Sequence, residues 1–469
     1  MGYIIAICVY LLAIIVYGLI IASKKVRTTD DMMTGSHKIP FIILVGSLLA
    51  TWCGGGGITG SAGVVFTGGP WVGLIAFAGA PIGIFLLYFI AGRMRRTNRV
   101  TVPAVMKTRY GNTAGVISAL CIMLAYIGVV ATQLKAAANI IVLLCSASNL
   151  TVSYTAALLV CAAVVVIVTV GGGLVSVAYS DAVSALLMLG GFAIAVPFLV
   201  AAANNAGAVM PAAKATISGG LPFTTLLGYF IPTIALVLGD QNMLQRFASA
   251  KDSKTAKKSN IGMLIGELVV IALTIAVVSQ ACRLYDHLDT PSNVIFQEAI
   301  DFLPFVIGAI MICACMAFIV TTADSFLLSA ATNLSNDIYV AHIKKDATDK
   351  QKMAVLRGAI VVFIVLAVLL TLYFPTVLAL QLTAYTMYGA AITPAILFAL
   401  FSKKVTPAAG LAGIIVGGAA TIIWTLMGTP GGLQCAIVAV PASIIAILIV
   451  TAFTKIKDPK HALDALYSE

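Results

Sequence analysis

Residues 48–63 read "LLATWCGGGGITGSAG" and place four consecutive glycines, Gly54 to Gly57, inside a stretch apolar enough to cross a membrane. Each glycine in a helix interior costs about 1 kcal/mol relative to alanine, so a helix through this stretch should unwind. Backbone groups without partners are expensive in hydrocarbon, and secondary transporters tolerate such breaks where they line a cavity. The sequence therefore predicts a functional break here. Close helix packing through Gly56 and Gly60 is the alternative, but it explains spaced glycines better than four in a row.

The composition predicts a polytopic membrane protein of the all-α class. Of the 469 residues, 61% are hydrophobic and 10% are charged, and the mean hydropathy is +1.07. Apolar runs of about 20 residues recur along the chain, which matches a hydrocarbon core of about 30 Å. The expected spans number about thirteen: 3–22, 41–66, 70–92, 113–145, 154–170, 176–203, 222–246, 261–282, 301–334, 355–374, 376–401, 407–428 and 433–454.

The charge distribution predicts the orientation in the cell (plasma) membrane. The net charge is +11, yet nearly all of the 28 Lys and Arg residues fall in loops and a tail on one side of a thirteen-span arrangement. Only Lys214 and Arg283 fall on the other side, and Lys135 lies within a span. The positive-inside rule then places the N-terminus outside and the C-terminus in the cytoplasm. Because the cations are dispersed over many loops, they do not indicate a nucleic-acid surface.

A second break is expected in the other half of the chain if the fold contains inverted repeats. The seventh span, "PFTTLLGYFIPTIALVLGDQNMLQRF", carries two prolines and then Gly239, Asp240, Gln241 and Asn242. The second and seventh spans are five apart, as a five-plus-five repeat requires. The predicted organisation is a single transporter domain with an extra first span and loop (1–40), a first repeat (41–203), a second repeat (222–401) and two further spans with a tail (402–469).

Polar side chains in the ninth span give the next indication, because intramembrane polar groups are costly and usually functional. In "CACMAFIVTTADSFLLSAATNLSNDIY", Thr321, Thr322, Asp324 and Ser325 crowd one turn. Residues at i, i+3 and i+4 share a helix face. Glu267 in the eighth span and Asp181 in the sixth are the other intramembrane acids noted.

These residues resemble the sodium:solute symporter family, which has the leucine-transporter-like fold. The segments "ATWCGGGG", "GGGLVSVAYSDAV", "QRFASAKD" and "TTADSFLLSAATN" fall in that family's order and spacing. Within the family, the first two look most like the high-affinity choline transporter branch. The resemblance implies a secondary active symporter that couples inward Na⁺ flux to uptake of a small organic solute by alternating access.

The resemblance also implies site residues. Na⁺, the coupling ion, would be held by the backbone oxygens of Ala50, Cys53 and Phe318 and the hydroxyls of Thr321 and Thr322. A second sodium site would use Asp181 and Ser325. The candidate solute-facing residues are Trp52, Gly55, Tyr126, Gln133, Asp240 and Gln241.

Asp240 stands where the choline transporter has tryptophan, and three roles are open to it. It could pair with a cationic solute, it could pair with Lys135, or it could cap the broken backbone. An isolated buried charge costs several kcal/mol, so one of these partners is required.

Other functional classes fit less well. A proton-coupled symporter of the same fold and a non-transporting membrane sensor or scaffold are the alternatives. An enzyme is not expected, because an intramembrane enzyme needs a nucleophile–base pair or metal ligands, and no span shows histidine among its polar residues. The expected partners are the lipid bilayer and a solute that is an amine, an amino acid or a carboxylate, and the sequence leaves the oligomeric state open.

Overall fold

Thirteen membrane-crossing segments form the protein, counted over the residues that the structure describes. The structure is a computed structural model, and it describes residues 1–25, 39–97, 99, 101–171 and 173–455. The spans are, in order, Gly2–Lys25, the broken pair Phe41–Trp52 and Gly56–Gly68, Pro70–Arg96, Asn112–Ser146, Tyr154–Gly171, Leu174–Asn205, Phe223–Ala248, Ser253–Leu284, Phe305–Ile343, Asp349–Tyr373, Val377–Phe401, Pro407–Leu426 and Cys435–Phe453. These bounds confirm the all-α prediction and the span order.

Two short helices lie between spans, at Val102–Tyr110 and Val294–Asp301. We call the side that carries the loops 97–111, 249–252 and 344–348 the basic side, since most cations flank these loops. Four of the cations used to predict orientation, Arg27, Lys38, Lys457 and Lys460, lie outside the described residues.

The second span is broken where the glycines are. Its first helix ends at Trp52, and the chain resumes as a π-helical turn over Gly56–Gly60 that continues into Ser61–Gly68. The two halves meet at an angle of 55°. The seventh span is interrupted more locally, because the helix Phe223–Gly239 ends at Asp240 (ψ 119°) and a new helix begins at Gln241.

Burial separates the spans into a core and a periphery. In the fourth, ninth and eleventh spans, 72 to 83% of the residues in the most apolar stretch are buried. In the first span the share is 17%. The first helix of the second span is buried continuously from Ser47 to Trp52. The glycine break therefore lies among the most buried spans, where its exposed backbone can meet protein groups and not lipid.

The first and last glycines of the run, Gly54 and Gly57, have different surroundings. A β-carbon built on Gly54 would lie 2.6 Å from the Thr322 side chain, whereas one on Gly57 would meet only the Trp52 carbonyl oxygen at 3.6 Å. The second and ninth spans therefore approach each other through Gly54 and not through Gly57.

This difference gives a matched pair of variants. Gly54→Ala should destabilise the protein by about 1–3 kcal/mol, because overpacking forces the ninth span outward. Gly57→Ala should leave stability nearly unchanged, since the added methyl makes ordinary contacts. The thermal-unfolding temperature of the purified variants in detergent measures both, and equal destabilisation would contradict this difference in packing.

Candidate functional site

The broken backbone of the second span is satisfied by side chains of the fourth and ninth spans. The Gly55 N–H donates to the Gln133 side-chain carbonyl at 2.5 Å. The Thr322 hydroxyl donates to the Ala50 carbonyl at 3.0 Å. These two contacts replace helix hydrogen bonds that the glycines interrupt, and they hold three spans together at one point.

The five residues predicted to hold Na⁺ lie on the two spans that meet there. All five are buried, with exposed fractions of 0 to 4%. Thr322 contacts Ala50 across the interface, and the Thr321 hydroxyl lies 3.5 Å from the Phe318 carbonyl. Cys53 ends the first helix at the break. Carbonyl and hydroxyl oxygens suit a hard cation, and unwound carbonyls are the groups that transporters present to Na⁺.

The residues predicted for a second sodium site, Asp181 and Ser325, both contact the guanidinium group of Arg246. Arg246 lies 3.5 Å from the Asp181 carboxylate, and both side chains are buried. The same guanidinium donates to the Ser325 hydroxyl at 2.9 Å and to Ser47 at 2.9 Å. In the sequence analysis Arg246 counts only as one of the cations that predict the orientation of the protein in the membrane. The structure shows that it links the seventh span to the second, sixth and ninth.

Asp240 lies at the break of the seventh span, between its two helices. Its carboxylate accepts a hydrogen bond from the Tyr126 hydroxyl, which also accepts from the Asn242 N–H at 3.2 Å. Tyr388 stacks on Tyr126 at 5.3 Å and donates to the Gly239 carbonyl at 2.8 Å. Asp240 thus reaches the broken backbone through the Tyr126 hydroxyl, and its carboxylate makes no direct capping hydrogen bond to the helix that begins at Gln241.

Lys135 does not pair with an acid in the described part of the chain. Its ammonium donates to the carbonyls of Thr371 and Phe374 at 3.2 and 2.9 Å, at the end of the tenth span. Cations at a helix C-terminus satisfy the last carbonyls, which explains a lysine in this position. The pairing of Lys135 with Asp240 was wrong, because the helix end offers the ammonium its partners.

Gln241 points away from the break toward the basic side. Its side chain accepts from the Val102 N–H at 3.2 Å and donates to Asn333 at 2.8 Å. It ties the seventh span to the short helix Val102–Tyr110 and to the ninth span.

A small enclosed cavity lies at the second-span break, on the side away from Gln241. Its volume is about 20 Å³, and Trp52, Glu267, Gln381 and Tyr385 are among its walls. This volume holds about one water, so the cavity in this structure is too small for a larger solute. Of the predicted solute-facing residues, only Trp52 lines it.

Sequence reasoning missed three residues of this cavity as site residues: Glu267, Gln381 and Tyr385. The Trp52 indole donates to Glu267 at 3.1 Å and stacks on Tyr385 at 6.1 Å. The sequence shows Glu267 as an acid within an apolar span. It does not show which residues of other spans lie next to this acid. Tyr385 and Gln381 gave no such signal, because they come from a span far along the chain.

A vestibule opens beyond the cavity, away from the basic side. It measures about 370 Å³ and is lined by Gly60, Gly63, Lys135 and the loop 289–292. Gln381, which lines the cavity, packs closely against Gly60, which lines the vestibule.

Comparisons with known proteins agree with this architecture. The pattern described as "Sodium:solute symporter family" matches residues 33–417. The sodium/proline symporter of Escherichia coli K12 is 25% identical over 498 residues, which cover 98% of this chain and 95% of that protein. The high-affinity proline transporter PutP of Bacillus subtilis 168 is 26% identical, with 92% and 94% covered. The osmoregulated proline transporter OpuE of the same organism is 27% identical, with 91% and 89% covered.

Solved structures show the same fold. A Na⁺-coupled sialic acid symporter in a substrate-bound outward-open state superimposes with a TM-score of 0.76 at 19% identity, covering 97% of this chain and 98% of that one. The nucleobase-cation-symport-1 transporter Mhp1 in a closed conformation gives 0.59 at 14% identity, covering 92% and 98%.

The expected likeness to the choline transporter branch is corrected by these relatives, which are proline symporters. The expectation rested on short motifs around the second and sixth spans. Such motifs reflect the local break, whereas the relatives match over nearly the whole chain.

The Asp240 network makes a stability prediction. Asp240→Asn and Tyr126→Phe should be less than additive by at least about 0.5 kcal/mol, because one makes the acceptor of a buried hydrogen bond neutral and the other removes its donor. Asp240→Asn and Lys135→Met share no partner, so their effects should add within about 0.5 kcal/mol. Thermal unfolding of the single and double variants measures both cycles. Recovery of stability in the Asp240→Asn, Lys135→Met double variant would contradict the separate partners of the two side chains.

Proposed function

Because the chain belongs to the sodium:solute symporter family and is a Na⁺-coupled solute symporter, we propose that its solute is a small amino acid, with proline as the first candidate. The relatives that match over most of the chain are proline symporters. Their identity to this chain is 25 to 27%, so proline is the first solute to test, before simple amines and carboxylates.

The proposed Na⁺ site consists of the carbonyls of Ala50, Cys53 and Phe318 and the hydroxyls of Thr321 and Thr322. The observation that carries it is the 3.0 Å contact between Thr322 and Ala50, made across the break of a buried helix. An ion placed there would take the Ala50 carbonyl from Thr322 and bind both spans through their oxygens. Asp181 and Ser325 are not included in our proposal, because Arg246 already supplies their cation.

The energy available to this cycle is sufficient for accumulation. One Na⁺ moving through about 100 mV yields roughly 2.3 kcal/mol. A tenfold sodium gradient adds about 1.4 kcal/mol, and the sum corresponds to a solute ratio of a few hundredfold. In our proposal Na⁺ fixes the second and ninth spans while the solute occupies the cavity beside Trp52.

We also propose the orientation that the charges indicate, with the N-terminus outside and the basic side in the cytoplasm. The vestibule lined by the loop 289–292 then faces outward. The two inverted repeats, 41–203 and 222–401, would each contribute one of the two breaks.

Sodium dependence tests the ion site. Thr321→Ala and Thr322→Ala should each raise the Na⁺ concentration for half-maximal proline uptake into proteoliposomes by about tenfold or more, because each removes one oxygen ligand. Thr332→Ala is the matched control, since this buried hydroxyl of the same span binds the Leu328 carbonyl at 2.8 Å. An unchanged sodium requirement in both test variants would remove the site, and uptake driven by a pH gradient without Na⁺ would remove sodium coupling.

Labelling tests the orientation. Asp289→Cys and Lys251→Cys introduce thiols at two exposed positions, in a Cys8→Ser background because Cys8 is the exposed native cysteine among the described residues. A membrane-impermeant maleimide added to intact cells should label the first and should label the second only after permeabilisation. The reverse pattern would invert the proposed orientation.

A further inference from the structure

Glu267 is a buried acid at the cavity, and it has no cationic partner among the described residues. It lies on the eighth span, Ser253–Leu284, and its exposed fraction is 3%. None of the ion pairs among the described residues includes it. Asp181, by contrast, pairs with Arg246, and the Asp240 carboxylate accepts from Tyr126 at the seventh-span break.

Both oxygens of Glu267 accept hydrogen bonds. The Trp52 indole donates to one oxygen at 3.1 Å, and the Cys53 thiol donates to the other at 3.0 Å. An indole N–H can only donate, and an ionised carboxylate can only accept. The arrangement therefore fits the charged form of Glu267, which needs a compensating positive charge when it is buried.

The cavity supplies the place for that charge. Glu267 lines this cavity together with Trp52 and Tyr385, whose ring centroids lie 6.1 Å apart with 29° between the ring planes. Aromatic faces attract cations, and they do so more strongly where water is excluded. The acid and the two rings thus make one surface suited to a positively charged nitrogen.

We propose that Glu267 binds the positively charged nitrogen of the transported solute and restricts transport to solutes that carry one. The inference rests on the proposed function, because it assigns a role within the same solute cavity. It deepens that function by naming the recognised group: a protonated or alkylated amine, which in proline is the ring ammonium. Asp240 is not assigned this role, since its carboxylate accepts from the Tyr126 hydroxyl and does not line the cavity.

Cys53 connects this recognition to the ion. Its carbonyl belongs to the proposed Na⁺ site, while its thiol donates to Glu267. Sodium bound to the carbonyl would fix Cys53 and therefore the position of the carboxylate. The solute should bind more tightly with Na⁺ present, and Na⁺ more tightly with the solute present, because coupling between two sites is reciprocal.

The test compares four probes on the purified, full-length protein in detergent, with and without NaCl. L-Proline carries both charges, pyrrolidine carries only the ammonium, tetrahydrofuran-2-carboxylate has oxygen in place of the ring nitrogen, and choline carries an alkylated ammonium. The shift in thermal-unfolding temperature measures binding, since a ligand stabilises the state that it binds. Proline should stabilise the protein in NaCl, and tetrahydrofuran-2-carboxylate at the same concentration should not.

Glu267→Gln keeps the shape of the side chain and removes its charge. It should raise the proline concentration for half-maximal stabilisation at least tenfold, while stabilisation by Na⁺ alone persists. Asp337→Asn is the matched control, because it changes a half-buried acid that accepts from Thr101 at 2.9 Å near the basic side. It should leave proline binding unchanged.

Each outcome decides a separate question. Equal stabilisation by proline and tetrahydrofuran-2-carboxylate, or unchanged proline binding in a folded Glu267→Gln variant, overturns the inference. If Glu267→Gln does not fold, the selectivity of the wild-type protein among the four probes decides it alone. If proline fails to bind but pyrrolidine or choline binds, the proposed solute is wrong and the inference stands. If no cationic probe stabilises the wild-type protein, the inference is wrong whatever the solute is.

Discussion

An unwound backbone inside a membrane must find hydrogen-bond partners in the protein, and the packing around this site follows from that constraint. At the second-span break the partners are Gln133 and Thr322, from the fourth and ninth spans. At the seventh-span break they are Tyr126 and Tyr388, from the fourth and eleventh. Because hydrocarbon offers no substitute, these three spans must surround the breaks, and they are the most buried spans in the described structure.

The buried cations around the site hold the fold, whereas the buried acid Glu267 lines the cavity. Arg246 satisfies Asp181 and two hydroxyls, so it fixes four spans relative to one another. Lys135 closes the end of the tenth span. An uncompensated charge in the membrane interior is too costly to be incidental. Glu267 lines the cavity and its two donors, Trp52 and Cys53, are neutral, so in our proposal the compensating charge comes from the solute.

The glycines of the second span interrupt the helix, and because they lack side chains they also let neighbouring side chains come close to the backbone. Gly54 lets Thr322 reach the Ala50 carbonyl, and Gly56 and Gly60 leave room for Gln381. Both interpretations of the glycine run, a break and close packing, thus apply to different residues within it. Close approach of backbone to side chains also keeps the cavity between the second and eleventh spans small.

The sequence by itself determined the membrane class, the span order and the position of both breaks. It could do so because span length, glycine runs and isolated polar residues are local signals set by the bilayer and by backbone energetics. The glycines of span 41–66 predict a break, and the helix is interrupted between Trp52 and Gly56.

Only the tertiary structure decided which charge meets which partner. Arg246, Lys135, Asp240 and Gln241 each bind groups from distant parts of the chain, and nothing local distinguishes a lysine that caps a helix from one that pairs with an acid. Gln381 and Tyr385 reach the second-span break across more than 300 residues of sequence. Side-chain direction in a helical bundle depends on how each span is rotated against its neighbours, and that rotation is fixed by packing over the whole assembly of spans.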